Sequence, residues 1–229
     1  IIVSDTWDFW HVITETAEAL KQEILDRTPN ELGLAKVVFR PDSGDPVDIL
    51  CGVEIETVDS LEAAEDLVKD FAYSENDDLT AYECGLSQYS KLFKFDGECY
   101  EVTVFPYWNR HDKTYYYIDG WAQSKFEKVT LTPAQKGAVE CLWDTFGGTV
   151  TDKGFKVLNQ RVGLIYGDSI TLDRANRIMK RLADKGFASC NTVFGVGSYT
   201  YQYVTRDTHG FAMKATYCEI NGVGQELFK

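Results

Sequence analysis

The sequence repeats one pattern, in which a short apolar run leads through a polar loop into an amphipathic stretch. This is the pattern of βα units, because buried parallel strands are continuously apolar whereas the helices that cover them are apolar on one face. The predicted strands cover residues 1–3, 37–39, 162–166 and 192–194. Strands separated by helices favour a parallel sheet, since a parallel pair needs a long crossover. The pattern leaves open whether the sheet is open or closed as a barrel.

Apolar spacing near the helical period predicts the helices that accompany these strands. They are expected over residues 9–25, 61–71, 132–146 and 172–183. In the first helix, the residues expected to form the buried stripe are Val12, Ala19, Leu20 and Ile24. Pro133 in the first turn and Gly147 beyond the last turn mark the ends of the third helix.

A segment of different character, residues 73–129, is rich in Tyr, Phe, Trp, Asp and Lys. Its predicted strands cover residues 91–95, 100–105 and 115–121, with a hairpin turn at residues 95–98. We interpret this segment as an antiparallel, aromatic-rich β insertion in an α/β fold. The expected division is residues 1–72, an insertion at residues 73–131, and residues 132–229.

Charge and hydropathy limit the class of protein. The formal net charge is −13, with 36 acidic and 23 basic residues, which disfavours nucleic-acid binding because backbone contacts need clustered Lys and Arg. No stretch approaches the roughly 18 to 20 apolar residues that cross a bilayer, and no signal-peptide pattern opens the chain. A cytoplasmic protein without a membrane partner is expected. The chain opens on Ile1 in what reads as a strand, so we expect further residues before it.

Six cysteines are scattered without a CxxC pair or a Cys/His spacing typical of zinc sites. We expect them to be reduced and mostly buried, with neither a disulfide framework nor a protein metal site. His11, His111 and His209 also lack the spacing of a metal site or a nucleophile's base, and we expect them to be structural or exposed.

The loop RPDSGDP, residues 40–46, places a cation, two carboxylates and a glycine directly after a strand. Ligands of parallel α/β folds bind at the carboxyl ends of strands, so this position suits a site. In the functional interpretation, Arg40 pairs with a phosphate or pyrophosphate, and Asp42 accepts hydrogen bonds from sugar hydroxyls or helps to place Mg²⁺. The alternative is a turn whose Asp and Ser side chains bind backbone amides.

Two other predicted strands also end in carboxylates. Gly167, Asp168 and Ser169 follow the strand at residues 162–166, where the carboxylate is suited either to a ribose diol or to a helix cap. Asp5 follows the first strand and is a candidate to orient a catalytic histidine, as a buried carboxylate fixes an imidazole tautomer.

A glycine-rich turn follows the fourth predicted strand, where Gly195 and Gly197 precede Ser198. Backbone amides at such a turn can approach a phosphate, although glycines at this spacing also serve plain tight turns. Arg206 and Lys214 follow at separations that allow them to meet the same anion or to remain on the surface.

At these strand ends the sequence closely resembles the nicotinamide phosphoribosyltransferase family, in particular its bacterial and phage branch. The similar stretches occur in the family's order and cover most of the chain outside the aromatic segment. They are IIVSDTWDFWHVI, VVFRPDSGDPVDIL, LWDTFGGTVTDKGFKVL, VGLIYGDSITLDR and KGFASCNTVFGVGSYTYQYVTRDTHGFAMKATYCEINGVG.

The resemblance implies a type II phosphoribosyltransferase, with an irregular (β/α) barrel that this chain contains only in part. The family works as a homodimer with active sites at the subunit interface. It condenses nicotinamide with 5-phosphoribosyl 1-pyrophosphate to give nicotinamide mononucleotide and pyrophosphate, a step of NAD biosynthesis that uses Mg²⁺. ATP hydrolysis through a phosphohistidine drives the reaction further.

Roles at three strand ends follow from the same resemblance. Arg40 is expected to contact pyrophosphate or the ribose phosphate, and Asp42 the ribose and the metal region. Gly167 and Asp168 are expected to hold the ribose hydroxyls. Asp5 is expected to steady the phosphohistidine, which the family carries upstream of the first matching stretch together with the residues that recognise the base.

Further phosphate contacts are also implied. Gly197 and Ser198 are expected to meet the 5-phosphate through backbone amides, and Arg206 and Lys214 to serve phosphates at or across the dimer interface. Human-like members have a glycine in place of Ser198 and an arginine in place of Gly163. The chain is therefore expected to supply the phosphoribosyl half of an active site.

Two other functions remain open at this point. One keeps the enzyme and changes the base to nicotinic acid. The other is a non-catalytic phosphate-binding or interaction module, with the aromatic segment as its partner surface.

Overall fold

The computed structural model describes residues 1–76, 88–105, 107–109, 111, 114–116, 123–167, 170–195, 206–210 and 214–227. The chain forms two compact units. The first combines residues 1–53 with residues 132–229, and the second consists of residues 54–131. Each unit has its own hydrophobic core.

Short strands and helices alternate through most of the first unit, and the second unit is richer in strands. The strands are β1 Ile2–Val3, β2 Val37–Arg40, β3 Glu56–Thr57, β4 Tyr89–Phe95, β5 Glu98–Phe105, β6 Tyr107–Asn109, β7 Thr114–Tyr116, β8 Gln123–Lys128, β9 Gly148–Val150, β10 Lys156–Leu158, β11 Val162–Tyr166, β12 Thr192–Phe194, β13 Tyr217–Ile220 and β14 Val223–Glu226. The α-helices are α1 Phe9–His11, α2 Ala17–Ala19, α3 Lys21–Leu25, α4 Pro46–Cys51, α5 Leu61–Asn76, α6 Pro133–Lys136, α7 Ala138–Phe146 and α8 Leu172–Asp184. A π-helix covers Val12–Thr16, and 3₁₀ turns cover Ser189–Asn191 and Arg206–His209.

The main sheet of the first unit is parallel. Among the described strands its order is β1–β2–β11–β12, and every neighbouring pair is parallel. Val3 lies opposite Arg40, and Leu164 lies opposite both Phe39 and Thr192. The predicted parallel sheet is therefore confirmed. Because the strands share one direction, their carboxyl ends lie along one edge of the sheet.

Helix α4, which begins at Pro46, the last residue of the loop, packs against α7 and α8. The contact is made by fully buried aliphatic side chains, each of which contributes about 1.5–3 kcal/mol when removed from water. They are Val47, Leu50, Leu142, Ile178 and Leu182. This packing gives the loop before α4 a fixed base.

The first helical segment buries a different face from the one that the spacing predicts. Leu20 and the residue before it are exposed, so the predicted stripe is wrong at both positions. The residues that are buried there are Phe9, Ile13, Ala17 and Ile24. The π-helix at Val12–Thr16 has a wider turn, which changes the phase of the following side chains, and Leu20 then leaves helical geometry with φ −101° and ψ 12°.

The second unit is a sheet covered by one helix. Among the described strands its order is β3–β4–β5–β8, with β4–β5 and β5–β8 antiparallel. Helix α5 packs on this sheet, and the buried residues of the contact are Val58, Ala64, Val68, Ala72, Phe93, Val102 and Val104. The unit therefore begins at residue 54, earlier than the predicted residue 73, because the apolar face of α5 belongs to this core.

Two hairpins have tight two-residue turns. β4 and β5 are joined by Asp96 and Gly97, both with positive φ (48° and 79°), which confirms the turn predicted from the sequence. β13 and β14 are joined by Asn221 and Gly222, with φ of 53° and 80°. In the part of the chain that the structure describes, no helix is both long and apolar enough to cross a membrane.

Candidate active site at the strand ends

The polar residues predicted as a site follow four neighbouring strands of the parallel sheet. Asp5 comes after β1, residues 40–46 begin at the end of β2, Gly167 follows β11 and Gly195 follows β12. Because these strands are adjacent and parallel, their carboxyl ends share one edge of the sheet. The carboxyl edge of a parallel sheet is where open α/β folds place their ligands.

Asp5 binds the loop that follows the neighbouring strand. Its side chain is buried, with the residue 6% exposed, and its Oδ2 accepts hydrogen bonds from the Asp42 backbone N–H at 3.1 Å and from the Ser43 hydroxyl at 2.6 Å. The Ser4 N–H also donates to the Arg40 carbonyl at 3.1 Å. The end of β1 thus fixes the first half of residues 40–46. The predicted role of Asp5 toward a phosphohistidine stays a prediction.

Arg40 and Asp42 form an ion pair at this edge of the sheet. The Arg40 Nη2 lies 3.1 Å from the Asp42 Oδ1, and the two side chains are 39% and 31% exposed. The Arg40 Nε is buried, and no described residue accepts a hydrogen bond from it. The two side chains are therefore held together and are both partly accessible to solvent, where a ligand can contact them.

The guanidinium of Arg40 also lies beside the end of β11. A Cβ atom added to Gly167 would be 3.7 Å from the Arg40 Nη2, which is ordinary van der Waals distance. The cation from β2 therefore sits next to the backbone of the turn that the sequence assigns to ribose binding. Asp168 and Ser169 of that turn lie outside the described residues.

The second half of the loop is held by different groups. The Tyr166 hydroxyl donates to the Gly44 carbonyl at 2.8 Å, and Gly44 has a φ of +93°, which favours glycine. The Asp45 side chain accepts from the Val47 N–H at 2.8 Å and caps α4. Of the two carboxylates in the loop, Asp45 thus binds a backbone amide and caps a helix, which is the alternative raised from the sequence. Asp42 instead forms an ion pair with Arg40.

Glycines bring the ends of β11 and β12 together. The Gly195 N–H donates to the Tyr166 carbonyl at 2.8 Å, and a Cβ atom on Gly195 would lie 2.9 Å from the Gly167 Cα. That distance is shorter than real Cβ contacts, so a side chain at residue 195 would force the two backbones apart. Because both residues are glycines, only backbone atoms are present at this part of the sheet edge.

The remaining predicted phosphate contacts are not joined to these residues by any described contact. Gly197 and Ser198 lie outside the described residues. Arg206 begins the 3₁₀ turn Arg206–His209, and its side chain lies outside the description. Lys214 is exposed. Their proposed roles stay predictions.

The histidines and cysteines match the sequence expectation in part. The residues His11, His111 and His209 are all exposed, as expected. The described cysteines are free, but only two of them are buried, so the expectation of mostly buried thiols is wrong, most clearly at the exposed Cys190. Burial raises the pKa of the Cys51 thiol to about 12 and that of Cys141 to about 11, so both stay protonated at neutral pH.

A protein-only metal site is absent from the residues that the structure describes, which contain no group of three or more His, Cys, Asp or Glu side chains placed to hold an ion. A Mg²⁺ ion that is already bound to a polyphosphate needs fewer protein ligands. It uses one or two carboxylates, and phosphate oxygens and water complete its shell. The partly exposed Asp42 carboxylate fits that requirement.

Sequence reasoning misses two contributors to this edge, Ser43 and Tyr166. The pattern indicates only a turn former at Ser43 and only the last apolar residue of a strand at Tyr166. A signal is present for Tyr166, because a buried tyrosine needs a partner for its hydroxyl and a loop with glycine offers free carbonyls.

Comparison with known proteins agrees with the geometry. A family model described as the nicotinate phosphoribosyltransferase (NAPRTase) family matches residues 2–107 and 109–229. A protein of Acinetobacter baylyi named nicotinamide phosphoribosyltransferase is 47% identical over 228 residues, which is 100% of this chain and 31% of the relative. A protein of the same name from Mycoplasma pneumoniae is 52% identical over 80 residues, 35% of this chain and 18% of the relative. The chain thus spans about a third of the first relative's length and less of the second's.

Proposed function

The chain belongs to the nicotinate phosphoribosyltransferase (NAPRTase) family, and we propose that it supplies the phosphoribosyl-binding part of an enzyme that makes nicotinamide mononucleotide. The substrates are nicotinamide and 5-phosphoribosyl 1-pyrophosphate, and pyrophosphate is the second product. The choice of nicotinamide rests on the names of the two relatives described above.

One observation carries the proposal, namely the partly exposed Arg40–Asp42 pair at the carboxyl edge of the sheet. Arg40 supplies a planar cation for phosphate oxygens, for which bidentate hydrogen bonds are especially strong. Asp42 supplies an acceptor for ribose hydroxyls. A sugar that carries two phosphate groups needs both kinds of partner within a few ångströms.

The reaction breaks the bond between C1 of the ribose and the pyrophosphate oxygen, and the electron pair leaves with pyrophosphate. The ring nitrogen of nicotinamide then donates its lone pair to C1, which forms the new glycosidic bond and leaves the ring positively charged. Positive charge develops on the ribose as the first bond weakens. Fixed carboxylates near the ribose and a cation near the leaving pyrophosphate stabilise that distribution of charge.

Asp42 is the residue we expect to face a substrate-bound Mg²⁺, and Asp168, Gly197 and Ser198 complete the proposed contacts to ribose and 5-phosphate. Mg²⁺ would neutralise charge on the departing pyrophosphate. Use of ATP as a coupled substrate depends on a phosphohistidine that the resemblance places outside this chain, with Asp5 as its partner.

The proposal includes completion of the fold by other residues. We expect an irregular (β/α) barrel and a homodimer in the cytoplasm, with Arg206 and Lys214 directed at phosphates. Support for the barrel comes from the edge strands β1 and β12, where Ile2, Val3 and Val193 are exposed apolar side chains of the kind that further strands or helices cover.

Product analysis tests the proposal. The intact protein is incubated with nicotinamide, 5-phosphoribosyl 1-pyrophosphate and Mg²⁺, and nicotinamide mononucleotide is quantified by chromatography. We expect catalytic turnover with release of one pyrophosphate for each nucleotide. If neither nucleotide nor pyrophosphate forms, with and without ATP, the chain does not serve this reaction.

A second candidate, with nicotinic acid as the base, is favoured by the description of the matching family. Both bases share the phosphoribosyl site described above, so the strand-end residues cannot distinguish them. Competition between nicotinamide and nicotinic acid at equal concentration decides the base. We expect the amide product to dominate.

A further inference from the structure

The loop at residues 40–46 begins at the end of β2, and residues at the ends of both neighbouring strands, β1 and β11, bind it. Asp5, from the end of β1, binds the N–H of Asp42 and the hydroxyl of Ser43. Tyr166, from the end of β11, binds the carbonyl of Gly44. These bonds are made to three consecutive loop residues, Asp42, Ser43 and Gly44. The first of them carries the carboxylate that we propose binds ribose.

The Tyr166 contact depends on one oxygen atom. The side chain is 1% exposed, and its ring belongs to the main core, so a phenylalanine would fill nearly the same volume. The hydroxyl adds the 2.8 Å bond to the Gly44 carbonyl. The backbone carbonyl of Tyr166 also accepts from the Gly195 N–H, so this residue connects the loop after β2 with Gly195 at the end of β12.

The Ser43 contact also depends on one oxygen atom. Its hydroxyl lies 2.6 Å from the Asp5 Oδ2, a short bond of the kind made to ionised carboxylates. The same Oδ2 accepts from the Asp42 N–H. Because the Asp5 carboxylate binds two successive loop residues, it fixes the backbone at Asp42. The Asp42 side chain is thereby held where it pairs with Arg40.

We propose that Ser43 and Tyr166 are positioning residues of the phosphoribosyl site, which hold Asp42 and Arg40 in the arrangement that the ribose and its phosphates require. The inference rests on the proposed function. Neither hydroxyl needs to touch the substrate for this role. Because the two hydroxyls hold the loop in its binding conformation beforehand, they lower the entropy cost of ordering the loop when substrate binds. They therefore increase the affinity for the substrate.

The test compares Tyr166→Phe and Ser43→Ala in the intact protein, with Ser43→Thr as the variant that keeps a hydroxyl. Matched controls are Tyr100→Phe in the second unit and Ser189→Ala at an exposed 3₁₀ turn. We expect each of the two variants to raise the Kd and KM for 5-phosphoribosyl 1-pyrophosphate about five- to tenfold, the usual effect of one lost hydrogen bond to a preorganised group. The KM for nicotinamide should change less than about twofold, since the base lies outside this loop's contacts, and Ser43→Thr should recover most of the affinity.

Hydrogen–deuterium exchange gives a readout that does not depend on substrate. We expect the peptide that covers residues 40–47 to exchange faster in Tyr166→Phe and Ser43→Ala than in the wild type and the two controls. If this peptide exchanges at the wild-type rate in Ser43→Ala, the positioning role is wrong. Faster exchange in a folded protein that does not bind phosphoribosyl pyrophosphate, even as wild type, would instead contradict the proposed function.

Two further outcomes are decisive. Should Tyr166→Phe fail to fold, the less buried Ser43→Ala decides the matter alone. If both variants bind phosphoribosyl pyrophosphate as tightly as the wild type, or raise the KM values for both substrates equally, the hydroxyls are structural only and the proposal is overturned.

Discussion

The Arg40 guanidinium and the Asp42 carboxylate, two residues apart, form a 3.1 Å ion pair in which neither side chain is buried. Exposed pairs of this kind contribute at most about 1 kcal/mol to folding, because water screens the charges. Stability alone therefore gives little reason for the pair, whereas a ligand with phosphate and hydroxyl groups would use both of its members.

We predict that Asp42→Ala weakens the use of 5-phosphoribosyl 1-pyrophosphate at least about tenfold through loss of a charged hydrogen-bonding partner. Asp168→Ala is predicted to act similarly from the turn after β11. Steady-state kinetics measure the effect, and Asp152→Ala in an exposed turn is the control. Activity near that of the wild type in both variants would remove the assignment to ribose binding.

Gly195→Ala should disrupt the approach of β11 and β12. The new Cβ atom would lie 2.9 Å from the Gly167 Cα, and neither backbone can move without disturbing the sheet edge. We expect a loss of about 1–3 kcal/mol in the free energy of unfolding, the usual cost of overpacking, with weaker phosphoribosyl pyrophosphate binding.

Gly163→Ala is the matched control on β11. Its new Cβ atom would meet the Lys36 Cδ at 3.2 Å, and a flexible lysine side chain can move aside. Urea unfolding of the two variants measures the difference. Equal destabilisation would show that the close backbone approach at Gly195 has no special cost.

Lys185, the residue directly after α8, binds the carboxyl-terminal end of α4, whereas the loop at residues 40–46 leads into the other end. The Lys185 Nζ donates to the Cys51 carbonyl at 2.9 Å and to the Lys136 carbonyl at 2.6 Å, and it pairs with Glu140 at 2.6 Å. We predict that Lys185→Met lowers the free energy of unfolding by about 2–3 kcal/mol, because partly buried acceptors lose a charged donor. Lys180→Met, in which the replaced side chain is 75% exposed, should cost less than about 1 kcal/mol.

Denaturant titration of both lysine variants checks this prediction. Helical propensities of Lys and Met are nearly equal, so the comparison isolates the contacts. A loss in Lys185→Met no larger than that in Lys180→Met would mean that the carbonyl contacts do not stabilise α4.

The buried thiol of Cys51 predicts a loss of stability in alkali. Its pKa is raised by burial from 9.0 to about 12, so the folded state keeps the proton while the unfolded chain releases it. The stability contribution is complete below about pH 9 and is lost as pH rises toward 12, by about 1.4 kcal/mol per pH unit. Unfolding of wild type and Cys51→Ala between pH 8 and pH 10.5, roughly the onset of that window, measures the difference in slope. Parallel pH profiles would contradict the burial of this thiol.

The sequence was sufficient to predict the parallel sheet and the edge at which the candidate site lies. Continuous apolar strands followed by polar, glycine-containing loops are typical of parallel α/β folds, and parallel direction brings the strand ends together. The same information cannot specify which side chains hold the loop. The Tyr166–Gly44 bond joins residues that are far apart in the sequence, and its existence depends on the order of strands in the sheet.

Two errors have local physical causes. The predicted stripe of the first helix is wrong because the π-helix at Val12–Thr16 departs from the period of 3.6 residues that the prediction assumes. The predicted boundary at residue 73 is wrong because helical periodicity shows which face of α5 is apolar and not which sheet covers it. Its partner is the sheet β3–β4–β5–β8, in which every strand except β3 follows α5 in the chain.

The most direct test of the central claim is a crystal structure of the intact protein with 5-phosphoribosyl 1-pyrophosphate and Mg²⁺. We predict phosphate oxygens within hydrogen-bond distance of Arg40, and ribose hydroxyls within hydrogen-bond distance of Asp42 and Asp168. The ligand at a different edge of the sheet, with the Arg40–Asp42 pair unchanged and still facing solvent, would contradict the claim that this edge is the phosphoribosyl site.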